Sequence, residues 1–351
     1  MKHSTIKISG KTIGAGQPAF LIAEVAQTHD GSLGLAHAFV DAAADAGADA
    51  IKFQTHIADA ESTLDEKFRV AFSKQDESRY DYWKRMEFTP EQWSGLAQHT
   101  NARGIVFLSS AFSVAAVNLL EAIDIPAWKV GSGEFKSDDL LKRLCGSGLP
   151  VIFSTGMCTW QEIEAAVTAF RTRMAPLAIL QCTSRYPTPL EEVGLNVIED
   201  LRNQFGVPVG LSDHSGSIYP SLAALAHGAN LVEVHMTLDR RLFGPDVPVS
   251  LTPDELRTLS EARDAFAVMD ANPVDKDVMA ANLSAMRDLF TKSLAVTRPL
   301  SAGTILEADM LTSKKPGTGI PAEDLEIFVG RTLSCDVSPD RLLSLEDIDD
   351  G

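Results

Sequence analysis

The sequence predicts an α/β fold, a closed (β/α)8 TIM barrel followed by a small, mainly β domain, and three observations carry that expectation. Eight short runs rich in Val, Ile, Phe and Leu recur, each followed by a helical pattern, as in a parallel sheet covered on both faces. Eight such units within about 260 residues suit a closed barrel. The first run continues into Glu24-Val25-Ala26-Gln27-Thr28-His29-Asp30-Gly31, with no GxGxxG phosphate loop, so an open doubly wound sheet is the weaker reading.

Taken in order, the strands are expected at Ala19–Val25, Ala48–Gln54, Gly104–Ser109, Ala127–Gly131, Pro150–Ser154, Leu177–Cys182, Val207–Leu211 and Leu231–His235. Amphipathic helices fall between them at Leu33–Ala46, Pro90–Arg103, Val114–Ala122, Trp160–Arg171 and Ser217–Ala226. The insertion Ile57–Thr89 holds a charged, aromatic run from Arg79 to Arg85, expected to form a helix covering the barrel's mouth. Residues 1–270 are assigned to the barrel and 271–290 to a linker, for which the polar stretch Asp270–Val278 with its Asn272-Pro273 is the signal. Residues 291–351 form the second domain, with short strands at Ser293–Arg298, Gly303–Ile305 and Thr332–Val337. At about 65 residues it is marginal in core size and is expected to dock on something.

Composition narrows the function. Of 351 residues, 45% are hydrophobic and 23% charged, which excludes a disordered chain, a collagen and a coiled-coil rod. Lys plus Arg number 31 against 48 Asp plus Glu, a net charge of −17 that repels nucleic acid and anionic membranes, so neither is expected as a partner. The four cysteines form no CxxC pair and fit a reducing compartment. His3 is read as a terminal histidine, and the segment around it carries no signal-peptide apolar region. No apolar stretch reaches a membrane span, so the expected location is the cytoplasm.

Polar residues gather at the C-terminal ends of the expected strands, the face where such barrels place their chemistry. Lys52 and Lys129 sit inside otherwise apolar strands, where an unpaired ammonium is costly. Each could pair with a carboxylate; together with Ser132, Ser154 and the backbone N–H groups of Gly131, Gly133 and Gly156 they look like an anion cradle for phosphate. A Schiff-base lysine is the rival, but that lysine should stand alone. His214 and His235 end adjacent strands and can share a metal ion, with Asp213 or Glu24 as oxygen partner, a set that suits Mn²⁺, Zn²⁺ or Fe²⁺. Glu24 and Glu134 are the acid/base candidates; a salt bridge from Glu24 to Lys52, or from Glu134 to Lys136, is the plainer reading.

The chain also resembles the sialic acid synthase family across both domains. The matching segments are Ala23-Glu24 with His29-Asp30-Gly31-Ser32, Lys52-Phe53-Gln54-Thr55-His56, Lys129 to Glu134, Ser154-Thr155-Gly156-Met157, Cys182-Thr183 with Tyr186-Pro187-Thr188-Pro189, and Gly210 to His214. Lys315-Pro316-Gly317-Thr318-Gly319-Ile320 resembles the signature of that family's C-terminal antifreeze-like (SAF) domain. The resemblance implies condensation of phosphoenolpyruvate with an N-acetylated sugar aldehyde and water, giving a nonulosonic acid and phosphate with C–O cleavage. N-acetylmannosamine is the default acceptor. A 2,4-diacetamido-trideoxyhexose, leading to legionaminic or pseudaminic acid, is the alternative. It further implies that Lys52, Ser110, Lys129, Ser132, Ser154, Ser184 and Ser212 hold phosphoenolpyruvate, and that Gln54, Tyr186, Asp246 and Lys315 contact the sugar. His214 and His235 would ligate a divalent metal, Mn²⁺ foremost and Mg²⁺ or Co²⁺ as substitutes, in a domain-swapped homodimer. The chain departs from the family on the sugar side. Lys315 stands where an arginine is usual, and lysine lacks that residue's planar fork.

Overall fold

In the computed structural model, which describes residues 5–68, 70 and 72–349, eight parallel strands close into a barrel. His3 lies outside the described residues. A hairpin of β1 (Ile6–Ile8) and β2 (Lys11–Ile13) precedes it. The barrel strands are β3 (Phe20–Ala26), β4 (Ala50–Thr55), β5 (Val106–Ala111), β6 (Trp128–Val130), β7 (Val151–Ser154), β8 (Leu177–Cys182), β9 (Val209–Asp213) and β10 (Leu231–His235). Each pairs in parallel with the next, and β10 closes on β3.

Alternation along these strands separates two cores. Outward residues such as Ile51, Phe53, Phe107, Phe153 and Ile179 pack against the helix ring, with Phe39, Leu96, Val117 and Phe170 opposite. Inward residues near the strands' N-terminal ends, among them Phe20, Ile22, Ala50, Leu108 and Ile152, form an inner layer with Ile6, Ile8 and Ile13 of the hairpin. The same inward face, read towards the C-terminal ends, reaches Glu24, Lys52, Gln54 and Ser110. Apolar packing therefore plugs one end of the barrel and leaves the other to polar groups.

The helices start where the sequence offers caps. Ser32 accepts from the Leu35 N–H, while Thr89 with Gln92 and Thr159 with Glu162 form capping boxes. The seventh barrel strand begins two residues later than expected, because Pro208 has no N–H for the ladder and pairing starts at Val209. The insertion folds as two short helices, Ala58–Glu61 and Arg79–Met86, around Tyr82, Trp83, Phe68 and Phe72.

The chain divides into two compact units, 1–271 and 272–351. The stretch read as a linker is largely helical. Helix Pro253–Ala271 ends before Asn272-Pro273, then the Asp275 side chain accepts from the N–H groups of Asp277 and Val278 and starts helix Lys276–Asn282. Helix Ser284–Phe290 follows, and neither short helix buries a residue. In the second unit β11 (Ser293–Val296) pairs antiparallel with β12 (Leu311–Lys314). The expected strands at 303–305 and 332–337 reduce to the isolated bridges Ile305↔Thr332, Leu300↔Val337 and Leu333↔Ile348. Leu294, Val296, Leu306, Phe328, Leu333 and Leu343 form its core. Among the described residues no helix is long and apolar enough to cross a membrane.

Candidate functional site

The C-terminal ends of the barrel strands open into a cavity of about 390 Å³. β3 supplies Glu24, β4 supplies Lys52 and Gln54, and β5 supplies Ser110. Lys129 comes from β6, Ser132 from the turn after it and Ser154 from the end of β7. Ser184 and Tyr186 follow β8, Ser212 lies in β9 with His214 just beyond, and His235 ends β10. Asp246 stands on the loop after β10 and also lines the space.

Two expected residues fall elsewhere. Glu134 is not among the described residues lining this cavity; it accepts from Ser137 Oγ at 2.8 Å, in the turn that leads into the next helix. The salt bridge expected between Glu134 and Lys136 is also absent, since Lys136 pairs with Glu162 at 2.9 Å. Lys315 belongs to the second unit, with its Nζ 5.0 Å from the centre of the Phe290 ring.

The charges at the barrel's end are matched. Lys52 Nζ lies 2.5 Å from Glu24 Oε2, and Lys129 Nζ lies 3.3 Å from Glu233 Oε1, which also accepts from Ser212 Oγ at 3.0 Å. Lys52 reaches Glu233 as well, at 3.9 Å. Pairing and cradle are thus the same arrangement: the lysines are neutralised by carboxylates while facing the cavity. Burial pushes Glu24 above the ordinary carboxylate range against the pull of Lys52, with Glu233 adding repulsion. Glu233 is also pushed up by burial, but Lys129 and Lys52 together carry it below its ordinary value. Glu24 is therefore the carboxyl of this cluster that takes up a proton first. Burial lowers Lys129, with Glu233 opposing.

Around the lysines lies a ring of hydroxyls. Lys52 Nζ donates to Ser110 Oγ at 3.3 Å, and Ser132 Oγ accepts from the Gly156 N–H at 3.0 Å. The Ser154 hydroxyl is buried without a hydrogen-bond partner among the described residues, a donor that a bound oxyanion would satisfy.

The two imidazoles stand 5.1 Å apart between ring centroids, with the Tyr186 ring 4.3 Å from His214 and tilted by 38°. Burial lowers His214 to about 4, so its ring is neutral near pH 7. Its Nδ1 lies 3.2 Å from the Thr183 carbonyl, which places the N–H there and leaves Nε2 as the lone-pair nitrogen, 3.0 Å from the Tyr186 hydroxyl. A neutral ring oriented by a backbone carbonyl is the form a metal ligand takes. Asp213, expected as an oxygen ligand, is instead tied to Ser215 N–H at 2.8 Å, to Ser215 Oγ at 3.1 Å and to Ser221 Oγ at 3.2 Å. Glu24 is held by Lys52. No cluster of three His, Cys, Asp or Glu side chains suited to a metal exists among the described residues. The residues that would hold a divalent ion here are the two imidazoles of His214 and His235.

Sequence reasoning places Glu233 among the polar strand ends but gives it no role, although it sits two residues before His235 on one strand and so shares its inward face. It also passed over three aromatics outside the Arg79–Arg85 run, Phe68, Phe72 and Phe112, which line one side of the cavity with Trp83. Nothing in a one-dimensional pattern marks those aromatics as lining a cavity.

A model described as the NeuB family matches residues 39–272, and one described as the SAF domain matches 291–349. N,N'-diacetyllegionaminic acid synthase of Legionella pneumophila is 32% identical over 359 residues, covering 99% of each chain. The Campylobacter jejuni protein of the same name is 34% identical over 332 residues, covering 92% of this chain and 98% of its own. Among solved structures, N-acetylneuraminic acid synthetase from Leptospira borgpetersenii, in complex with citrate, superposes with a TM-score of 0.71 at 30% identity, covering 81% of this chain and 96% of its own.

Proposed function

The chain belongs to the NeuB family of enzymes, and from that premise we propose that it condenses phosphoenolpyruvate with a 2,4-diacetamido-trideoxyhexose and water, giving a legionaminic-type nonulosonic acid and phosphate. Phosphoenolpyruvate-dependent condensation to a keto-sugar acid is the family's reaction; the acceptor is the finer step. The observation that carries it is the apolar side of the cavity. Phe68, Phe72, Phe112 and Met157 suit the methyls of two acetamido groups and a deoxygenated C6. The two relatives named for diacetyllegionaminic acid support the same acceptor.

Within this reading, Lys52 and Lys129 hold the phosphate and carboxylate of phosphoenolpyruvate. The hydroxyls of Ser110, Ser132, Ser154, Ser184 and Ser212 fill its remaining contacts. His214 and His235 would hold the divalent ion, Mn²⁺ in the first instance. A metal bound there supplies Lewis-acid polarisation of the aldehyde oxygen. The enol carbon attacks the aldehyde carbon, water adds to the carbon bearing phosphate, and the tetrahedral intermediate expels phosphate by C–O cleavage. Glu24, whose buried carboxyl holds its proton more tightly than an ordinary one, takes the proton from that water. The lysines then stabilise the leaving phosphate. Gln54, Tyr186 and Asp246 face the sugar. Lys315, from the second unit, is proposed to reach the sugar of a second copy in a homodimer, which sedimentation of the full chain would test.

The decisive experiment is phosphate release from phosphoenolpyruvate with Mn²⁺, offering N-acetylmannosamine and the 2,4-diacetamido sugars in turn, with and without chelator. Release with a diacetamido sugar, lost on chelation, is expected. Release with N-acetylmannosamine alone overturns the acceptor. Borohydride trapping of pyruvate on Lys129, with indifference to chelator, overturns the reaction class in favour of a Schiff-base aldolase.

A further inference from the structure

A line of contacts runs outward from Glu24 that the reaction as written does not use. Gln54 Nε2 donates to Glu24 Oε1 at 3.0 Å, while Gln54 Oε1 accepts from Gln27 Nε2 at 3.0 Å and faces His56 Nε2 at 3.3 Å. His56 Nδ1 lies 2.5 Å from Glu61 Oε1, and Glu61 Oε2 accepts from the Ile57 N–H at 3.2 Å. The imidazole is 4% exposed and stacked on both faces, with ring centroids 3.9 Å from Trp83 and 4.4 Å from Phe112.

A ring clamped between two aromatic planes, with each nitrogen facing an acceptor oxygen, is held in one orientation. It therefore presents a fixed group to the Gln54 carbonyl. Fixing that end of the amide fixes the other, because a flipped Gln54 would set its oxygen against the Glu24 carboxylate and its NH2 against the Gln27 NH2. We propose that His56, held by Glu61 and by the Trp83–Phe112 stack, is a positioning residue that locks the Gln54 amide and through it aims Glu24. Glu61 and Trp83 belong to the insertion between β4 and β5, so the seating of that insertion and the orientation of the carboxylate become one event. The inference rests on the reading of Glu24 as the water-activating group.

A double-mutant cycle on phosphate release tests it, with His56→Phe, Gln54→Met and the two combined. His56→Phe keeps the stacked ring and removes both nitrogens. Its kcat should fall about 10- to 100-fold, the scale on which misplaced catalytic groups cost rate, with the KM for phosphoenolpyruvate changed less than about twofold. The combined variant should be no slower than Gln54→Met alone, since without the amide His56 has nothing to orient. Losses that multiply, or an effect of His56→Phe confined to KM, overturn the proposal. Should His56→Phe fail to fold, Glu61→Gln takes its place in the cycle, with a smaller loss of kcat and the same non-additivity expected. The underlying reading fails differently: Glu24→Gln with unimpaired turnover removes Glu24 from the chemistry, whereas multiplying losses with an inactive Glu24→Gln remove only the role of His56.

Discussion

At Gly156 a side chain of any size would enter the anion cradle. A Cβ there would collide with Ser184 Oγ and stand 2.7 Å from Cys182 Sγ and 2.8 Å from Ser132 Oγ. Gly156→Ala should therefore raise the KM for phosphoenolpyruvate by about tenfold or more, as overpacking at a buried contact does, and spare the sugar's KM. Equal increases in both would move Gly156 off the phosphoenolpyruvate side. His29 shows a second single-residue effect, on stability. Burial first, then the charges of His56 and Arg85, lower its ring from 6.5 to about 3, while its Nδ1 accepts from the Gly31 N–H at 3.1 Å. The unfolded chain takes up a proton below about 6.5 and the folded one does not, so this group's share of stability is lost as pH falls from 6.5 towards 3. The slope is at most about 1.4 kcal/mol per pH unit. His29→Asn, whose oxygen can still accept from Gly31, should flatten the acid limb of a denaturation series between pH 6.5 and 4; an unchanged slope would place the acid sensitivity elsewhere.

Strands, more than single residues, decide what the cavity presents. On β10, Val232 and Val234 face the helices while Glu233 and His235 face inward, so one five-residue strand supplies both a metal-ligand candidate and the counter-charge for two lysines. Glu233→Gln leaves those ammonium groups short of a partner and should destabilise the ligand-free enzyme by about 3 kcal/mol. Phosphoenolpyruvate should restore more stability to this variant than to the native chain, because the bound anion replaces the missing charge; denaturant midpoints with and without ligand measure this. The barrel was legible in the sequence because its strands are apolar on both faces and its helices carry their own caps. The lysines and histidines were legible because polar groups at strand ends stand out against that background. The role of Glu233 was hidden because its sequence signature is an ordinary strand glutamate, and its meaning depends on Lys52 and Lys129 arriving from β4 and β6. Glu134 follows a cradle serine closely in sequence, and the turn after β6 sets its carboxylate against Ser137, where burial raises it.

For the molecule as a whole, the field and the site oppose each other. The chain carries −17, while the four buried groups Glu24, Glu233, Lys52 and Lys129 are two acids and two bases that nearly cancel. A phosphoenolpyruvate anion approaching from solvent therefore meets net repulsion, and gains attraction only when it reaches the lysines and hydroxyls inside the cavity. Repulsion between solvent-exposed charges is screened over a Debye length, about 30 Å at 0.01 M salt and about 8 Å at 0.15 M, whereas contacts in a buried cradle are screened far less. Added salt should then help rather than hinder: kcat/KM for phosphoenolpyruvate is expected to rise about twofold between those two ionic strengths, with kcat unchanged. A site that drew its substrate by long-range attraction would show the opposite slope. A fall in kcat/KM with salt would thus mean that the lysines project their charge beyond the mouth despite Glu24 and Glu233, and that the pairing seen at 2.5 and 3.3 Å opens before the substrate arrives.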